Sequence, residues 1–423
     1  MESFLLSPMH TYIIILIINV SISLQKVDFK NDGIIFYDLT EEQALSLAKS
    51  QDKLLLILFH FDGCGICKYM EKTVYNEKIV ADFYNESFIC IGINTSTKYG
   101  RELKQKYAIN SQPAHLFFDP HGKLVHKIVG LYNAAEFTIE GEVALNRQGL
   151  VYYQNLYLNR KKDPDFLLNF VYKLHNANEL DSVVVNEYLN TQSNRQLIEE
   201  ENIRFIYNFA FYEFRPLVPF HKPAIQYLFH KKEEFYNYFD PQQVDVRILW
   251  LSKKYIENAI QTENKQLFEQ VLPHTIDFDN GITYLFKNIN GKTSGAIKVE
   301  NDVINYIIAF YERTGDYEFY TETLNDYISQ IYYAQKSIHD ILYKLLNEFV
   351  TEAELMLLKK WAEKSLEQNN TSDDNMLLAK IYFELKDYEK SLEYAISAKN
   401  QAVKENKNFQ EVEILISKLQ NLL

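Results

Sequence analysis

Residues 54–68 read LLLILFHFDGCGICK, an apolar run that is followed by a turn and by two cysteines three positions apart. Residues 54–59 have the length and aliphatic content of a central strand that is buried on both faces. The turn ends at Gly63. A helix is predicted to begin around Cys64 and to run through Met70 and Val74. The stretch therefore predicts a strand that leads into a helix with Cys64 and Cys67 in its first turn.

This placement of the two cysteines favours thiol–disulfide chemistry. A thiolate is the nucleophile in disulfide exchange, and the unpaired N–H groups and the dipole at a helix N-terminus stabilise a thiolate there. We therefore predict that Cys64 is the attacking sulfur. Cys67 lies one turn along the helix, where it can close an intramolecular disulfide and release the partner, so we predict that it is the resolving thiol.

Two other interpretations of the cysteine pair remain open. The pair could be a structural disulfide, or it could bind a metal ion with His60 as a third ligand. A tetrahedral zinc site needs four protein ligands, or three and a water molecule, and no second Cys/His pair is near in the sequence. The third cysteine, Cys90, lies in an apolar run and is predicted to be an inert core residue.

Further strands and helices surround the motif. Apolar runs predict strands at 88–93, 115–118 and 124–129. Capping boxes at Thr40 and Asn133 predict two helices, of which Gly149 is expected to end the second. Strands and helices alternate before a final hairpin and helix, so residues 30–148 are predicted to form one α/β domain.

The rest of the chain has a different pattern. From Asp163 onward the apolar residues recur at helical spacing, so residues 149–423 are predicted to form an all-α region. Breaks at 314–317 and 385–388 lie 71 residues apart, about twice the tetratricopeptide period, which predicts a stack of helical pairs. The best single tetratricopeptide-like unit is 374–406.

Residues 1–23 are predicted to be a signal peptide that is cleaved near Ser23. Their aliphatic core is too short to cross a bilayer comfortably, and small residues precede the cleavage point. An uncleaved anchor or a simple N-terminal strand are the alternatives, since no Lys or Arg precedes the apolar core. We accordingly expect an exported protein, periplasmic or secreted.

The composition is that of a folded protein with more than one domain. The chain has 423 residues, of which 47% are hydrophobic and 24% are charged. A formal net charge of -13, without a basic stripe, argues against nucleic acid as a partner. Only three cysteines are present, which excludes a scaffold held together by many disulfides.

Residues 32–144 resemble the thioredoxin family, especially the secreted bacterial branch related to the C-terminal domain of thiol:disulfide interchange proteins. The resemblance rests on the strand and the Cys64-Gly65-Ile66-Cys67-Lys68 motif, on Ser111-Gln112-Pro113, on Asp119-Pro120-His121-Gly122-Lys123 and on Val129-Gly130-Leu131. It implies that Pro113 is a cis-proline that faces the cysteines, and that Gln112 and Pro113 present the backbone that pairs with a substrate peptide. The helical half is similar to extensions of such domains in secreted Bacteroidetes-type proteins.

Three positions depart from the family pattern. Gly63 stands where the family usually has Trp, Ile66 stands where it has Pro, and Leu58 stands where many members have a buried acid. The usual route for proton transfer is therefore in doubt. The candidate supporting residues are His60, Asp62 and Lys68.

The sequence thus predicts a thiol-disulfide oxidoreductase that acts on protein substrates in an extracytoplasmic compartment, with an unidentified redox partner and with the helical region as a docking surface for proteins. Its redox group is the Cys64–Cys67 disulfide, so no separate cofactor or metal is expected. A non-catalytic helical scaffold with a thioredoxin-like binding module is the alternative. Metal carriage by the two cysteines is a third hypothesis, which predicts bound metal in protein purified under reducing conditions.

Overall fold

The computed structural model describes residues 33–278, 281–287, 293–299, 302–333, 338–348 and 351–423. The chain forms two compact units, which divide between Gln192 and Ser193. The predicted signal peptide at 1–23 lies outside the described residues. Within the described ranges, no helix is both long enough and apolar enough to cross a lipid bilayer.

The first unit is built around a mixed sheet. Its strands are β1 (Phe36–Tyr37), β2 (Leu54–His60), β3 (Phe88–Asn94), β4 (Ala114–Phe118) and β5 (Leu124–Val129). Their order is β1-β3-β2-β4-β5, in which β1 and β2 run parallel to β3, and β4 runs antiparallel to β2 and β5. The four predicted strands are confirmed to within one residue at each end, and β1 is an additional short strand.

Five helices cover the two faces of this sheet. They are α1 (Glu41–Gln51), α2 (Gly65–Met70), α3 (Lys78–Ser87), α4 (Lys98–Lys106) and α5 (Ala134–Leu145), and a π-helical segment, Glu71–Tyr75, continues α2. The capping boxes predicted at Thr40 and Asn133 are both formed. The sequence analysis did not predict α4.

Side chains of β2 alternate between two cores, because successive residues of a strand point to opposite faces. Leu56 and Leu58 belong to the core that α2, α3 and α5 cover, whereas Ile57 and Phe59 belong to the core beneath α1 and α4. Both cores are closed, so β2 is buried on both faces from Leu54 to Phe59. This position of β2 fixes where its carboxyl end, and therefore the cysteine motif, leaves the sheet.

Three further helices belong to the first unit, namely α6 (Leu150–Leu156), α7 (Pro164–Asn176) and α8 (Ser182–Thr191). The expectation that Gly149 ends α5 is wrong, because α5 ends at Leu145 and Gly149 begins α6. A Cβ at position 149 would lie 2.6 Å from the Cβ of His126, so glycine allows α6 to start against β5. The predicted domain boundary at residue 148 lies just before α6 and stays a prediction.

A buried polar network connects these helices to the sheet. Glu140 of α5 accepts hydrogen bonds from Nε2 of His126 at 2.7 Å, from Nζ of Lys173 at 3.1 Å and from Nδ2 of Asn176 at 2.9 Å. The backbone N–H of Leu150 donates to Nδ1 of His126 at 3.1 Å. This bond leaves the ring proton on Nε2, which is the nitrogen that bonds to Glu140.

The charges of the network follow from its surroundings. Burial acts to raise the pKa of the Glu140 carboxyl, but the hydrogen bond from His126 and the contact with Lys173 outweigh it and lower the pKa to about 2. Burial lowers the pKa of His126, so its ring is neutral at neutral pH. The network therefore contains one carboxylate that is neutralised by one ammonium group, and both come from helices.

The second unit is mostly helical. Its helices are α9 (Glu200–Phe209), α10 (Pro223–His230), α11 (Lys232–Tyr236), α12 (Pro241–Gln261), α13 (Lys265–Ile276), α14 (Val303–Thr314), α15 (Tyr317–Tyr333), α16 (His339–Glu348), α17 (Glu352–Gln368), α18 (Ser372–Glu384), α19 (Tyr388–Lys404) and α20 (Gln410–Gln420). Two hairpins interrupt them, β6 (Phe211–Tyr212) with β7 (Arg215–Pro216), and β8 (Ile282–Lys287) with β9 (Thr293–Val299).

Successive antiparallel pairs of helices follow one another from α14 to α19. The first helices of these pairs begin at Val303, His339 and Ser372, and α20 follows at Gln410, so the starts are 33 to 38 residues apart. The predicted breaks at 314–317 and 385–388 are confirmed as the turns within the first and last pairs. Whether these pairs are tetratricopeptide repeats stays a prediction.

Candidate functional site

The cysteine motif begins where β2 ends. His60 is the last residue of the strand, and the backbone N–H of Cys64 donates to the carbonyl of Phe61 at 3.2 Å to close a tight turn. Gly63 has a φ of +88°, a left-handed conformation that favours glycine. A glycine immediately before the first cysteine is therefore what this turn requires, and it stands where the family pattern has Trp.

The two cysteines form a disulfide across the first turn of α2. Their Cα atoms are 5.3 Å apart, and the backbone N–H of Cys67 donates to Sγ of Cys64 at 3.1 Å. Cys64 is the N-cap of the helix, so its sulfur lies at the end where unpaired N–H groups point. The same N–H can hold the Cys64 sulfur as a thiolate when the disulfide is reduced.

The loop before β4 lies beside the cysteine turn. Ala114 pairs with Phe59, which places Pro113 next to the end of β2. The Gln112–Pro113 peptide bond is cis, the isomer that the resemblance implies. The backbone N–H of Gly130 donates to the carbonyl of Pro113 at 2.8 Å, so β5 supports this loop from the far side.

A second support ties the proline loop to β2. Nε2 of Gln112 donates to Oγ1 of Thr95 at 2.8 Å, and Oγ1 of Thr95 donates in turn to the carbonyl of His60 at 3.0 Å. The side chain of Gln112 is thereby used within the protein.

A cleft of about 440 Å³ opens beside the disulfide, and both cysteines contribute to its lining. Leu58 and Gly92 are paired neighbours in β2 and β3, and both line the cleft. Gly92 contributes no side chain, which leaves space next to His60, whose Nε2 lies 3.7 Å from the position that a Cβ at residue 92 would take. Leu58 is buried here and cannot accept a proton.

The three candidate supporting residues, His60, Asp62 and Lys68, all line this cleft. The side chain of His60 is half-buried, and burial lowers its pKa while the charge of Asp62 opposes this shift. The carboxylate of Asp62 accepts a hydrogen bond from Nδ2 of Asn94 at 2.9 Å, so it is already engaged. Of the three, His60 combines a neutral basic nitrogen with a place in the cleft.

Two buried residues near the cleft, Tyr75 and His115, are not among the predicted site residues. The hydroxyl of Tyr75 lies 2.6 Å from Nε2 of His115, and His115 pairs with Leu58 across the sheet. Burial lowers the pKa of His115 to about 3, so its ring is neutral at neutral pH. A histidine in the apolar strand Ala114–Phe118 was the signal, but nothing in the sequence pointed to Tyr75 as its partner.

Large apolar side chains surround the disulfide at the surface. Phe61, Ile66 and Tyr69 come from the cysteine turn and α2, and Leu131 follows Gly130 near the proline loop; each is between two-fifths and three-fifths exposed. Exposed apolar groups that cluster around one site mark a surface for binding other molecules. These four side chains form an exposed apolar rim near the disulfide.

No metal arrangement accompanies the cysteines in the part of the chain that the structure describes. There, no group of three or more His, Cys, Asp or Glu side chains is placed to hold a metal ion. The sulfurs of Cys64 and Cys67 are bonded to each other. His60 lines the same cleft, but it does not complete a set of ligands with them.

Comparison with protein families assigns the first domain. Residues 41–143 match the family whose model is described as a thioredoxin-like domain. This part of the chain is a thioredoxin-like α/β domain with its cysteines in C-x-x-C spacing, and the rest of the described chain is largely helical. The predicted fold class is confirmed at this level.

Two curated relatives are thiol:disulfide interchange proteins called DsbD. The one from Pseudomonas fluorescens is 29% identical over 97 residues, and the one from Pseudoalteromonas atlantica is 28% identical over 99 residues. These matches cover 22% and 23% of this chain, and 17% of each relative. The chain thus spans about a sixth of the length of these relatives.

Solved structures that are similar to this chain each match about a quarter of its length. A proposed disulphide isomerase from Bacteroides thetaiotaomicron is 32% identical to this chain. The match covers 96% of that protein and 27% of this chain, with a TM-score of 0.26. The oxidised C-terminal domain of Neisseria meningitidis DsbD is 23% identical. The match covers 90% of that domain and 24% of this chain, with a TM-score of 0.22.

Proposed function

We propose that the thioredoxin-like domain exchanges disulfides with protein substrates through Cys64 and Cys67, in an extracytoplasmic compartment. The observation that carries this proposal is the Cys64–Cys67 disulfide at a helix N-terminus, beside the proline loop that precedes β4 and near an apolar rim. The predicted signal peptide supports export.

The exchange proceeds in two balanced steps. The Cys64 thiolate attacks one sulfur of a substrate disulfide, which forms a mixed disulfide and releases the other substrate sulfur as a thiolate. The Cys67 thiolate then attacks Sγ of Cys64, which forms the Cys64–Cys67 disulfide and releases the second substrate thiolate. The substrate gains two electrons and the protein loses them, and the reverse sequence oxidises a substrate dithiol.

Turnover of a protein disulfide tests the proposal. We expect the whole chain to accelerate the reduction of insulin by dithiothreitol well above the rate with dithiothreitol alone, because the protein dithiol is regenerated after each exchange. Insulin precipitation followed by light scattering measures the rate. A rate equal to that of dithiothreitol alone would support the alternative, a scaffold in which the helical second unit is the functional part.

The resolving step needs a base, and His60 is the proposed one. Cys67 must lose its proton before it can attack, Leu58 cannot accept it, and the neutral imidazole of His60 lines the cleft that both cysteines line. Proton transfer to His60 thus takes the place of the buried acid in the family pattern.

Replacement of this base should slow resolution. We expect His60→Ala to reduce the rate at which the mixed disulfide is resolved by about 100-fold, while formation of the mixed disulfide changes little. Rapid-quench separation of the mixed disulfide measures both rates. His121→Ala, at an exposed turn, is the matched control and should behave as wild type. Equal resolution rates in the two variants would exclude His60 as the base.

A further inference from the structure

The loop that joins α7 to α8 reaches the substrate-binding proline loop. Nδ2 of Asn178 donates to Oγ of Ser111 at 3.2 Å, and Ser111 is directly followed by Gln112 and Pro113. The two side chains are 67 positions apart in the chain. A residue of the helical extension therefore touches the segment that carries the cis peptide bond.

This loop is held firmly against the sheet. Ala177 and Leu180, which lie on either side of the contact, are both buried. Oε1 of Glu179 lies 2.6 Å from Nζ of Lys127 in β5, and Lys127 is itself buried. Asn178 has a φ of +57°, a left-handed conformation that asparagine tolerates better than most residues. The position of the Asn178 amide is thus set by its neighbours.

The anchor of the loop is α7. Lys173 and Asn176, in its last turn, bond to the buried Glu140 of α5. The backbone N–H of Glu179 donates to the carbonyl of Leu174 at 2.8 Å, which closes the end of the helix. A chain of specific bonds therefore runs from the core of the thioredoxin-like domain to Asn178.

The proline loop has two other supports, from Gly130 and from Thr95, and both come from within the thioredoxin-like domain. Asn178 adds a support from the residue before Gln112. An extended substrate peptide that pairs with the backbone at Gln112 gains affinity only if that backbone is held in place. A small disulfide that reacts directly with the cysteines makes no such pairing.

We propose that Asn178 is a positioning residue for protein substrates: its bond to Ser111 holds the backbone of the proline loop, residues 111–113, in the conformation with which an extended peptide pairs. This inference rests on the proposed function. It assigns the loop between α7 and α8 an indirect part in the recognition of extended peptides, through its contact with Ser111.

The test removes the Asn178 amide without straining the backbone. We expect Asn178→Gly, which keeps the left-handed conformation, to raise KM for insulin by about threefold to tenfold. The rate with a small aromatic disulfide and the redox potential of the Cys64–Cys67 couple should stay at the wild-type values. The control is Asn169→Ala, which removes an exposed side-chain bond to the carbonyl of Asp165 in α7.

Two more measurements make the outcome decisive. Ser111→Ala should show the same effect on KM, and the double variant should be no worse than either single one, because both remove the same bond. Hydrogen exchange at the Gly130 amide, which donates to the carbonyl of Pro113, should be faster in Asn178→Gly than in Asn169→Ala. If Asn178→Gly changes neither hydrogen exchange nor KM, the inference is overturned. If the wild-type chain does not turn over insulin but Asn178→Gly still exchanges faster than Asn169→Ala, only the proposed function is overturned.

Discussion

Cys64→Ser should reduce insulin turnover by at least about 10³-fold. A serine hydroxyl at this position is neither acidic enough nor nucleophilic enough to open a disulfide, so the first exchange step is lost rather than slowed. The N–H of Cys67, which donates to Sγ of Cys64, then has only a neutral oxygen to stabilise. The insulin assay with the whole chain measures the loss.

Two further cysteine variants show which sulfur does what. Cys67→Ser should still attack a substrate disulfide but should accumulate the mixed disulfide, which is visible on a non-reducing gel. Cys90→Ala is the matched control, because Cys90 is buried in β3 and burial raises the pKa of its thiol, so it is protonated and inaccessible. It should turn over insulin like wild type. Cys64→Ser with wild-type turnover would remove the enzymatic interpretation.

Local pattern was sufficient to predict the elements that build this site. The apolar run at 54–59 has no polar side, which predicts a central strand. In the structure all six residues are buried. The helix after it was predicted from the residues that follow Gly63, through Met70 and Val74. Both predictions depend on neighbours in sequence, which is the information a single sequence holds best.

Elements with few apolar residues were missed. In α4 only Gly100 and Leu103 are buried, so Lys98–Lys106 carries no periodic apolar stripe. β1 spans only Phe36–Tyr37 and exists because it pairs with β3, a contact between distant segments. In both cases packing against the sheet, rather than local pattern, defines the element.

Contacts between distant segments also completed the candidate site. Nothing near Ser111 in the sequence indicates that Asn178 bonds to it, and nothing near His126 indicates a network with Glu140 and Lys173. These polar side chains appear as ordinary surface residues in their own helices and turns. Only the placement of α6 and α7 along the outer strand β5 brings them together.

Because α6 and α7 lie along β5, we expect that truncation of the chain before α6 lowers the stability of the fold. A chain that ends at Gln148 should have a free energy of unfolding about 4 kcal/mol lower than a chain that ends at Gln192. The shorter chain loses the N–H of Leu150, the ammonium of Lys173 and the amide of Asn176, and Glu140 keeps only His126. It also exposes β5, the outer strand that α6 and α7 otherwise accompany.

Urea unfolding followed by circular dichroism measures the free energies of unfolding of the two chain lengths. Glu140→Gln in the longer chain then measures the contribution of the polar network separately from that of the lost apolar contacts. The folded-state pKa of Glu140 lies below the ordinary 4.5, so its carboxylate stabilises the fold above pH 4.5, and this contribution is lost as the pH falls toward about 2. Glu140→Gln should therefore be less stable than wild type at pH 7 by about 2 kcal/mol, and the difference should shrink below pH 4. Equal free energies for the two chain lengths would instead mean that residues 30–148 are an independent domain, as the sequence alone predicts.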